Sequence, residues 1–455
     1  MKSKISSVVL SLILIASFGR LQAQTYWKPP RPQKTVLANG LTLLVVERHN
    51  LPVVVVKAMI RGGSACDPGE LPGLANFTAE ILDKGTKIRT AQDIAQMFDW
   101  MGAVYENSCD YDASYFSLAF LSRDLGQVLP VFMDLLQNPK VDSAEVERLR
   151  NQLLSNIQDD RDQPETIGRQ AFDSLLYRGH PYSRPVYGQE AALARIGASD
   201  IVSFHGKYFV PNNTVIAVVG DIKPAKISEL LKKLTKNWLK AEVPPVIFDQ
   251  IPKINRPGLQ MIHRPISQAY VVLGFLGPKR LDPDYQAARL MNYILGGGGF
   301  VSRLFTKIRV QQGLAYDVDS YFSPRLDYGP YAFTVQTKCQ TADTALKTML
   351  LEIERIQKEP VSDQELLEAK AYFRGSYPFR YETNEQIAGQ ILGAELYGLS
   401  PDQVIKDLEA IQKVTKEDLL QSAQRLLKPR NYIVAMATDT AITKINIPGL
   451  TVEKK

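Results

Sequence analysis

The chain has 455 residues, 45% of them hydrophobic and 22% charged, with 54 Lys and Arg against 48 Asp and Glu. That apolar fraction is too high for a disordered chain, and a formal charge of +6 carries no argument for nucleic acid. Past the first segment no stretch approaches about 20 uninterrupted apolar residues, so nothing in the sequence reads as a helical membrane span.

Lys2 and Lys4 precede an apolar run over residues 8–18, and Leu21-Gln22-Ala23 offers a small residue at the cut. This is the pattern of a cleaved secretory signal over residues 1–23. The mature chain is therefore expected to be exported, to the periplasm of a bacterium or outside the cell, and to carry no transmembrane anchor. Without Lys2, Lys4 and Arg20 the basic count falls to 51 and the net charge to +3. Roughly 430 residues remain, more than one core usually holds, so two domains are expected. Cys66, Cys109 and Cys339 are odd in number and permit at most one disulfide. Cys66 with Cys109 is a conceivable pair, and isolated thiols are the plainer reading.

After Pro29, Pro30 and Pro32, residues 35–38 and 41–47 flank Asn39-Gly40, a hairpin signal, and residues 52–60 form an apolar strand. Residues 72–86, PGLANFTAEILDKGT, follow the loop 63–71 as a helix. Thr90 caps the next helix, with Asp93 at its third position and Ile94, Met97, Phe98 and Met101 on one face. Strand-like stretches fill residues 101–120, and helical spacing returns over 124–137 through Leu125, Val128, Leu129, Phe132 and Leu136. Ser143 is expected to cap the helix that carries Asn156. FVPNN at 209–213 leads into an apolar strand, 214–220, that closes the first unit.

Pro244, Pro245, Pro252 and Pro257 mark a semi-extended linker over 241–257, between domains spanning 24–240 and 258–442, with a tail over 443–455. Beyond the linker the pattern begins again. Residues 268–277 resemble 53–62, and KEDLLQSAQRLLKPRN at 416–431 parallels ASDIVSFHGKYFVPNN at 198–213. Pro429 and Pro211, like Asn431 and Asn213, stand 218 positions apart. A repeat this long implies two α+β domains of one design.

On the helix 72–86, Asn76 and Glu80 share a face with Ala79 beside them. That is the frame of an H-x-x-E-H zinc site without its chemical groups. The preceding loop, the GLA that opens the helix and the closing Lys84-Gly85-Thr86 strongly resemble the pitrilysin/insulinase (inverzincin) family of zinc peptidases. The resemblance implies two homologous domains, each a mainly antiparallel sheet packed with helices, over nearly the whole mature chain. It also implies that the first His has become Asn76, the general base Ala79, the second His Glu80, and the third ligand, a Glu from a downstream helix, Asn156. Shifting the frame so that Glu80 is the base would need ligands at Phe77 and Ile81, whose side chains cannot bind zinc. No metal is expected in this chain.

Four glycines open residues 296–316, GGGGFVSRLFTKIRVQQGLAY, but the Lys-Ser/Thr of a phosphate loop is missing. The stretch reads as a flexible loop entering a helix that ends at Arg309 and leads to Tyr316, the start of a strand. Arg309 and Tyr316 match the family's Arg/Tyr pair, which the resemblance places against the bound peptide near the scissile bond. Arg is a permanent cationic donor for a peptide carbonyl, and a Tyr hydroxyl can stabilise an oxyanion. The competing structural reading is an Arg at a helix end and a Tyr in the core. His49, His180, His205 and His263 show no metal-ligand spacing, Ser362 to Glu365 is a capping box, and the charges over 352–359 read as a solvated helix face.

Loss of the zinc groups with retention of the pair resembles the non-zinc subunit of the small two-chain bacterial members. By that resemblance the expected partner is a homologous zinc-bearing subunit forming a heterodimer, with zinc held by the partner and an unfolded peptide as substrate. The chain alone is expected to be inactive. A peptide would add as a strand to a sheet edge, with Val104–Cys109 as the candidate edge. The alternative is a catalytically inactive peptide-binding or scaffold protein of the cell envelope.

Overall fold

The computed structural model describes residues 27–248 and 250–454, so the signal expected over residues 1–23 lies outside the described residues. The strands gather in two six-stranded sheets. In the first, β1 (Gln33–Val36), β2 (Thr42–Glu47), β3 (Val53–Ile60), β4 (Val104–Cys109), β5 (Ser114–Leu121) and β6 (Thr214–Gly220) lie in the order β1-β2-β6-β3-β5-β4. In the second, β7 (Gly258–His263), β8 (Gln268–Leu276), β9 (Ala315–Phe322), β10 (Pro330–Lys338), β11 (Ile433–Thr438) and β12 (Thr451–Lys454) lie in the order β12-β7-β11-β8-β10-β9.

The two orders superpose strand for strand, with β2 parallel to β6 and β7 parallel to β11, and antiparallel neighbours from there to β4 and β9. The repeat seen in the sequence is thus a repeat of topology, and the expected pair of mainly antiparallel sheets packed with helices is what the chain forms. One edge differs. Residues 443–455, read from the sequence as a tail, supply β12, which pairs with β7 in parallel where β1 pairs with β2 antiparallel.

Local signals mostly set the helix boundaries. Thr90 Oγ1 accepts from Asp93 N (3.2 Å) and Asp93 Oδ2 from Thr90 N (2.9 Å), and Ser362 with Glu365 repeats the pattern. Two expectations are corrected. The helix Ser143–Asp160 is capped by Asp142, whose Oδ1 accepts from Ala144 N (3.0 Å), because Asp142 is the last residue with extended backbone and Ser143 already lies in the helix. Glu352 is buried rather than solvated. It sits three residues after Met349 and four before Ile356, on the face that the helix Ala342–Lys358 turns to the core, while Arg355 and Glu359 pair outside it at 2.9 Å.

β6 and β11 are buried at every position, which requires cover on both faces. One face of each sheet is covered by helices of its own domain. The other face is covered by a helix of the opposite domain. Ile387, Ile391, Leu392 and Leu396 of the helix Asn384–Leu396 pack on Leu44, Val46, Val55, Met59 and Val219 of the first sheet. Phe172 and Leu176 of the helix Pro164–Leu176 pack on Tyr270, Val272, Ala332 and Ala435 of the second. The exchanged helix 384–396 is pinned at its start, where Glu385 takes Lys57 Nζ (2.5 Å) and Ser117 Oγ (2.9 Å).

A polar clasp joins the domains beside this exchange. Arg325, in the loop between β9 and β10, buries its guanidinium among Tyr111, Tyr177 and Tyr182, whose ring centroids lie 3.8, 4.9 and 4.7 Å from Cζ. Asp173 faces it at 3.7 Å, and Asp112 accepts from Tyr182 Oη (2.5 Å) and Leu326 N (2.8 Å).

Two outcomes follow from this packing. Leu392→Ala leaves a cavity under the first sheet and should destabilise the whole chain by about 2–5 kcal/mol, with both domains unfolding together in denaturant; separate transitions would mean that the exchanged helices do not couple the domains. His205, whose Nε2 lies 2.9 Å from Leu136 O, is held by burial at a pKa of about 4. A base whose folded pKa is depressed gives stability that is present above its unfolded value and lost as pH falls toward the folded one. His205 should therefore contribute about 2–3 kcal/mol less to the unfolding free energy at pH 4 than at pH 6.5, against the opposite trend of Asp67 and Asp112, whose carboxyls burial raises, and the difference between the parent chain and His205→Gln should show that contribution.

Candidate functional site

The stretch 72–86 folds as the helix Leu74–Ile81 with a tighter turn, Leu82–Lys84, behind it. No side chain caps it at Gly73. Asp67 reaches back from the preceding loop instead, its two carboxylate oxygens accepting from Gly73 N and Ala75 N at 2.7 Å each. The sequence reading passed over Asp67, although a carboxylate shortly before a helix that opens on glycine is the available signal. Gly73 has φ of 101°, and a Cβ there would lie 2.8 Å from Gly188 Cα, so the helix start is locked against the loop at 187–188.

Asn76 is 2% exposed, and its Nδ2 has no hydrogen-bond partner. Ala79 is fully buried, and Glu80 is half-buried, its carboxyl pushed above the usual range by burial, with Lys84 opposing and Asp83 adding to the shift. Asn156 is exposed on its helix and accepts from Gln152 Nε2 at 3.0 Å. Two amides, a methyl group and one carboxylate do not fit zinc, which asks for three or four nitrogen, sulfur or carboxylate donors. Among the described residues no group of three or more His, Cys, Asp or Glu is gathered where it could hold a metal ion. Cys66, Cys109 and Cys339 carry free thiols, and burial pushes Cys66 up to about 12, far from a reactive thiolate.

The second stretch corrects an expectation. Residues 296–309, read as a loop entering a helix, are largely wound into helical turns: Tyr293–Gly297 and Phe305–Gln311 as wide turns and Gly299–Val301 as a tight one. The helix runs two residues past Arg309. A Cβ at Gly296 would lie 2.3 Å from Ser320 Oγ, so this glycine lets the turn press against β9.

Tyr316 is 80% exposed, which overturns the core reading of this residue. The cause is a bulge. Ala315 pairs with Thr337 and Asp317 with Gln336, so Tyr316 stands opposite no partner where the register shifts, and the extra residue turns its side chain outward. Arg309 Cζ lies 4.7 Å from the Tyr316 ring centroid, 4.8 Å from Phe305 and 5.9 Å from Phe300, itself 77% exposed. The rings fix the guanidinium, a contact worth about 0.5–1 kcal/mol at an exposed site. No carboxylate among the described residues pairs with it, so its N–H donors are available to a ligand.

β4 ends the first sheet, hydrogen-bonded on one side only, with Val104, Glu106 and Ser108 exposed. The histidines serve the fold. His49 Nδ1 lies 2.7 Å from Asp221, His180 accepts from Tyr182 N (3.1 Å) at the turn before Pro181, and His263 Nδ1 lies 3.1 Å from Thr440 Oγ1.

Residues 43–190 match the family profile described as Insulinase (Peptidase family M16), and residues 195–373 the one described as Peptidase M16 inactive domain. The chain is 26% identical over 421 residues to an uncharacterized zinc protease of Rickettsia bellii, covering 91% of this chain and 98% of the relative. It is 28% identical over 382 residues to the non-peptidase homolog YmxG of Helicobacter pylori, covering 82% and 85%. A crystal structure of a peptidase M16 inactive domain from Pseudomonas fluorescens superposes with a TM-score of 0.86 at 27% identity, over 91% of this chain and all of that one. A protease from Helicobacter pylori shares the fold with a TM-score of 0.84 at 20% identity, over 90% and 100%.

The donor chemistry gives a direct test. After incubation with zinc and dialysis, the chain should retain far less than one metal per molecule. Combining Asn76→His, Ala79→Glu, Glu80→His and Asn156→Glu should raise retention toward one. Stoichiometric zinc in the unaltered chain, lost in Glu80→Gln, would refute the reading of this helix.

Proposed function

The chain belongs to the insulinase (M16) family of peptidases, and we propose that it is the non-zinc subunit of an exported two-chain metalloendopeptidase, holding unfolded peptides for cleavage by a homologous zinc-bearing partner. The observation that carries this reading is the outward display of Tyr316 by a strand bulge, stacked on Arg309, in a chain whose metal positions hold groups that cannot bind zinc. A merely structural Tyr at the start of a strand would point inward. The name of the Helicobacter pylori relative, a non-peptidase homolog, agrees with a chain that is inactive alone.

The partner's zinc would supply the activated water. The residues of this chain bind and orient the peptide. Arg309, held flat between aromatic rings, offers N–H donors to a peptide carbonyl, and the Tyr316 hydroxyl donates to the oxygen on which charge develops. The open side of β4 offers main-chain groups to an extended peptide, giving affinity with little dependence on sequence. The secretory-signal pattern of residues 1–23 supports export of the complex, to the periplasm or outside the cell.

The test is peptidase activity on a quenched peptide library for this chain alone, for a candidate partner with an intact H-x-x-E-H helix, and for the mixture. Activity is expected in the mixture alone. Tyr316→Phe should lower kcat by about 10²–10³ if its hydroxyl serves as an oxyanion donor, and Arg309→Ala should raise KM. Turnover unchanged by both substitutions would remove their assigned roles. Peptide bound by a silent mixture would leave an inactive peptide-binding chain.

A further inference from the structure

Gly297, three residues before Phe300, lines a second place with binding chemistry. Two adjoining cavities of about 340 and 280 Å³ share Tyr285, Arg289 and Arg380 as a common wall. The larger is lined by four cations, Lys34, Arg280, Arg289 and Arg380, against two carboxylates, Glu395 and Asp407. Both carboxylates are already engaged, Glu395 by Lys34 Nζ at 2.7 Å and Asp407 by Arg280. Arg289 and Arg380 have no carboxylate partner among the described residues. Of the acids beside the groove, Glu368 acts on Tyr293 and accepts from Gln364 Nε2 at 2.6 Å, and Asp402 pairs with Arg31 at 2.9 Å.

The two free guanidiniums are held, not loose. Arg289 stacks over Phe373, with Cζ 4.6 Å from the ring centroid, and its Nη1 donates to Gln286 Oε1 (3.0 Å) and to the Tyr377 hydroxyl. Arg380 lies over Tyr377 at 5.4 Å, and its guanidinium makes no hydrogen bond among the described residues. Packing accounts for one edge of Arg289 and leaves the donor edges of Arg380 uncommitted. Around them stand further donors. Burial pushes the Tyr381 hydroxyl up to about 12, so it stays protonated, and Asn292 accepts from Ser320 Oγ (2.8 Å) through its carbonyl oxygen, leaving its amide nitrogen toward Gly297. A net excess of two positive charges, presented as planar forks among hydroxyl and amide donors, suits a carboxylate, which two guanidiniums can grip with parallel hydrogen bonds.

We propose that this groove is a carboxylate-binding subsite, which takes the terminal carboxylate or an acidic side chain of a peptide whose neighbouring residues lie over Arg309 and Tyr316. The link to the peptide rests on the function proposed above; the carboxylate site itself does not. The spacing permits the link. Three residues of backbone, at most about 11 Å, separate Gly297 in the groove from Phe300 under Arg309.

The test uses the full mature chain and fluorescence anisotropy with a labelled apolar peptide in three forms: free C-terminal acid, C-terminal amide, and amide with one internal Asp. The free acid should bind about tenfold more tightly than the amide, and recovery of affinity by the internal Asp would identify side-chain recognition. Arg380→Gln should bring the acid-to-amide ratio close to one without changing the thermal midpoint of the chain, and adding Arg289→Lys should hold the ratio there. Arg309→Ala should weaken all forms alike and keep the ratio. Equal binding of all three forms, or a ratio that survives Arg380→Gln, would overturn the proposal. Should no peptide bind, sodium acetate at matched ionic strength decides. A raised thermal midpoint in the parent chain and not in the double variant would keep the carboxylate site and sink its peptide link; no such difference would sink both.

Discussion

The structure depends on one exchange. Each sheet presents an apolar face that its own domain leaves bare, and each domain sends a helix across to cover the other's. Burying Ile387, Ile391 and Leu392 contributes about 1.5–3 kcal/mol apiece. Because the covering helices come from corresponding places in the repeat, the arrangement is close to two-fold symmetric, and neither sheet is fully covered without the other domain. Tyr316 and the open edge of β4 sit on sheets held this way.

The Arg325 clasp adds precision to this arrangement. Its loop follows β9 directly, and β9 begins beside Tyr316. Locking Arg325 among three tyrosines therefore fixes one end of the β9–β10 hairpin against the first domain, while the bulge at the other end turns Tyr316 outward. The buried charge is tolerated because Asp173 faces it and aromatic faces surround it. The candidate site is thus built on a braced hairpin rather than on a free loop.

In the first domain the helix Leu74–Ile81 is held by packing and by a remote cap, with no set of metal donors on it among the described residues. Asn76 and Ala79 are buried in the packing, and the helix start is still closed by Asp67 and by the contact of Gly73 with Gly188. The scaffold of the site therefore persists as structure, since its glycines and its remote cap serve the fold whether or not a metal is bound. In the second domain Arg309 lies beside Tyr316, and Arg289 and Arg380 line one groove whose two carboxylates, Glu395 and Asp407, are taken by Lys34 and Arg280.

The sequence by itself determined the elements and their repetition. Alternation and apolar runs gave the strands, Thr90 with Asp93 and Ser362 with Glu365 gave helix starts, and the 218-residue offset gave two domains of one design, because these signals act within a few residues of backbone or as direct self-similarity. It also gave the loss of zinc donors at Asn76, Ala79, Glu80 and Asn156, since side-chain chemistry is legible at a known position. Tertiary structure alone decided the rest. Uninterrupted burial along β6 and β11 says that both faces are covered but not by what, so the helix exchange was invisible. Tyr316 points outward through a register shift against Gln336 and Thr337, twenty residues away, and Arg289 and Arg380, ninety-one residues apart in the chain, line one groove. Such pairings are set by which surfaces the whole chain can bury together, and no local pattern encodes them.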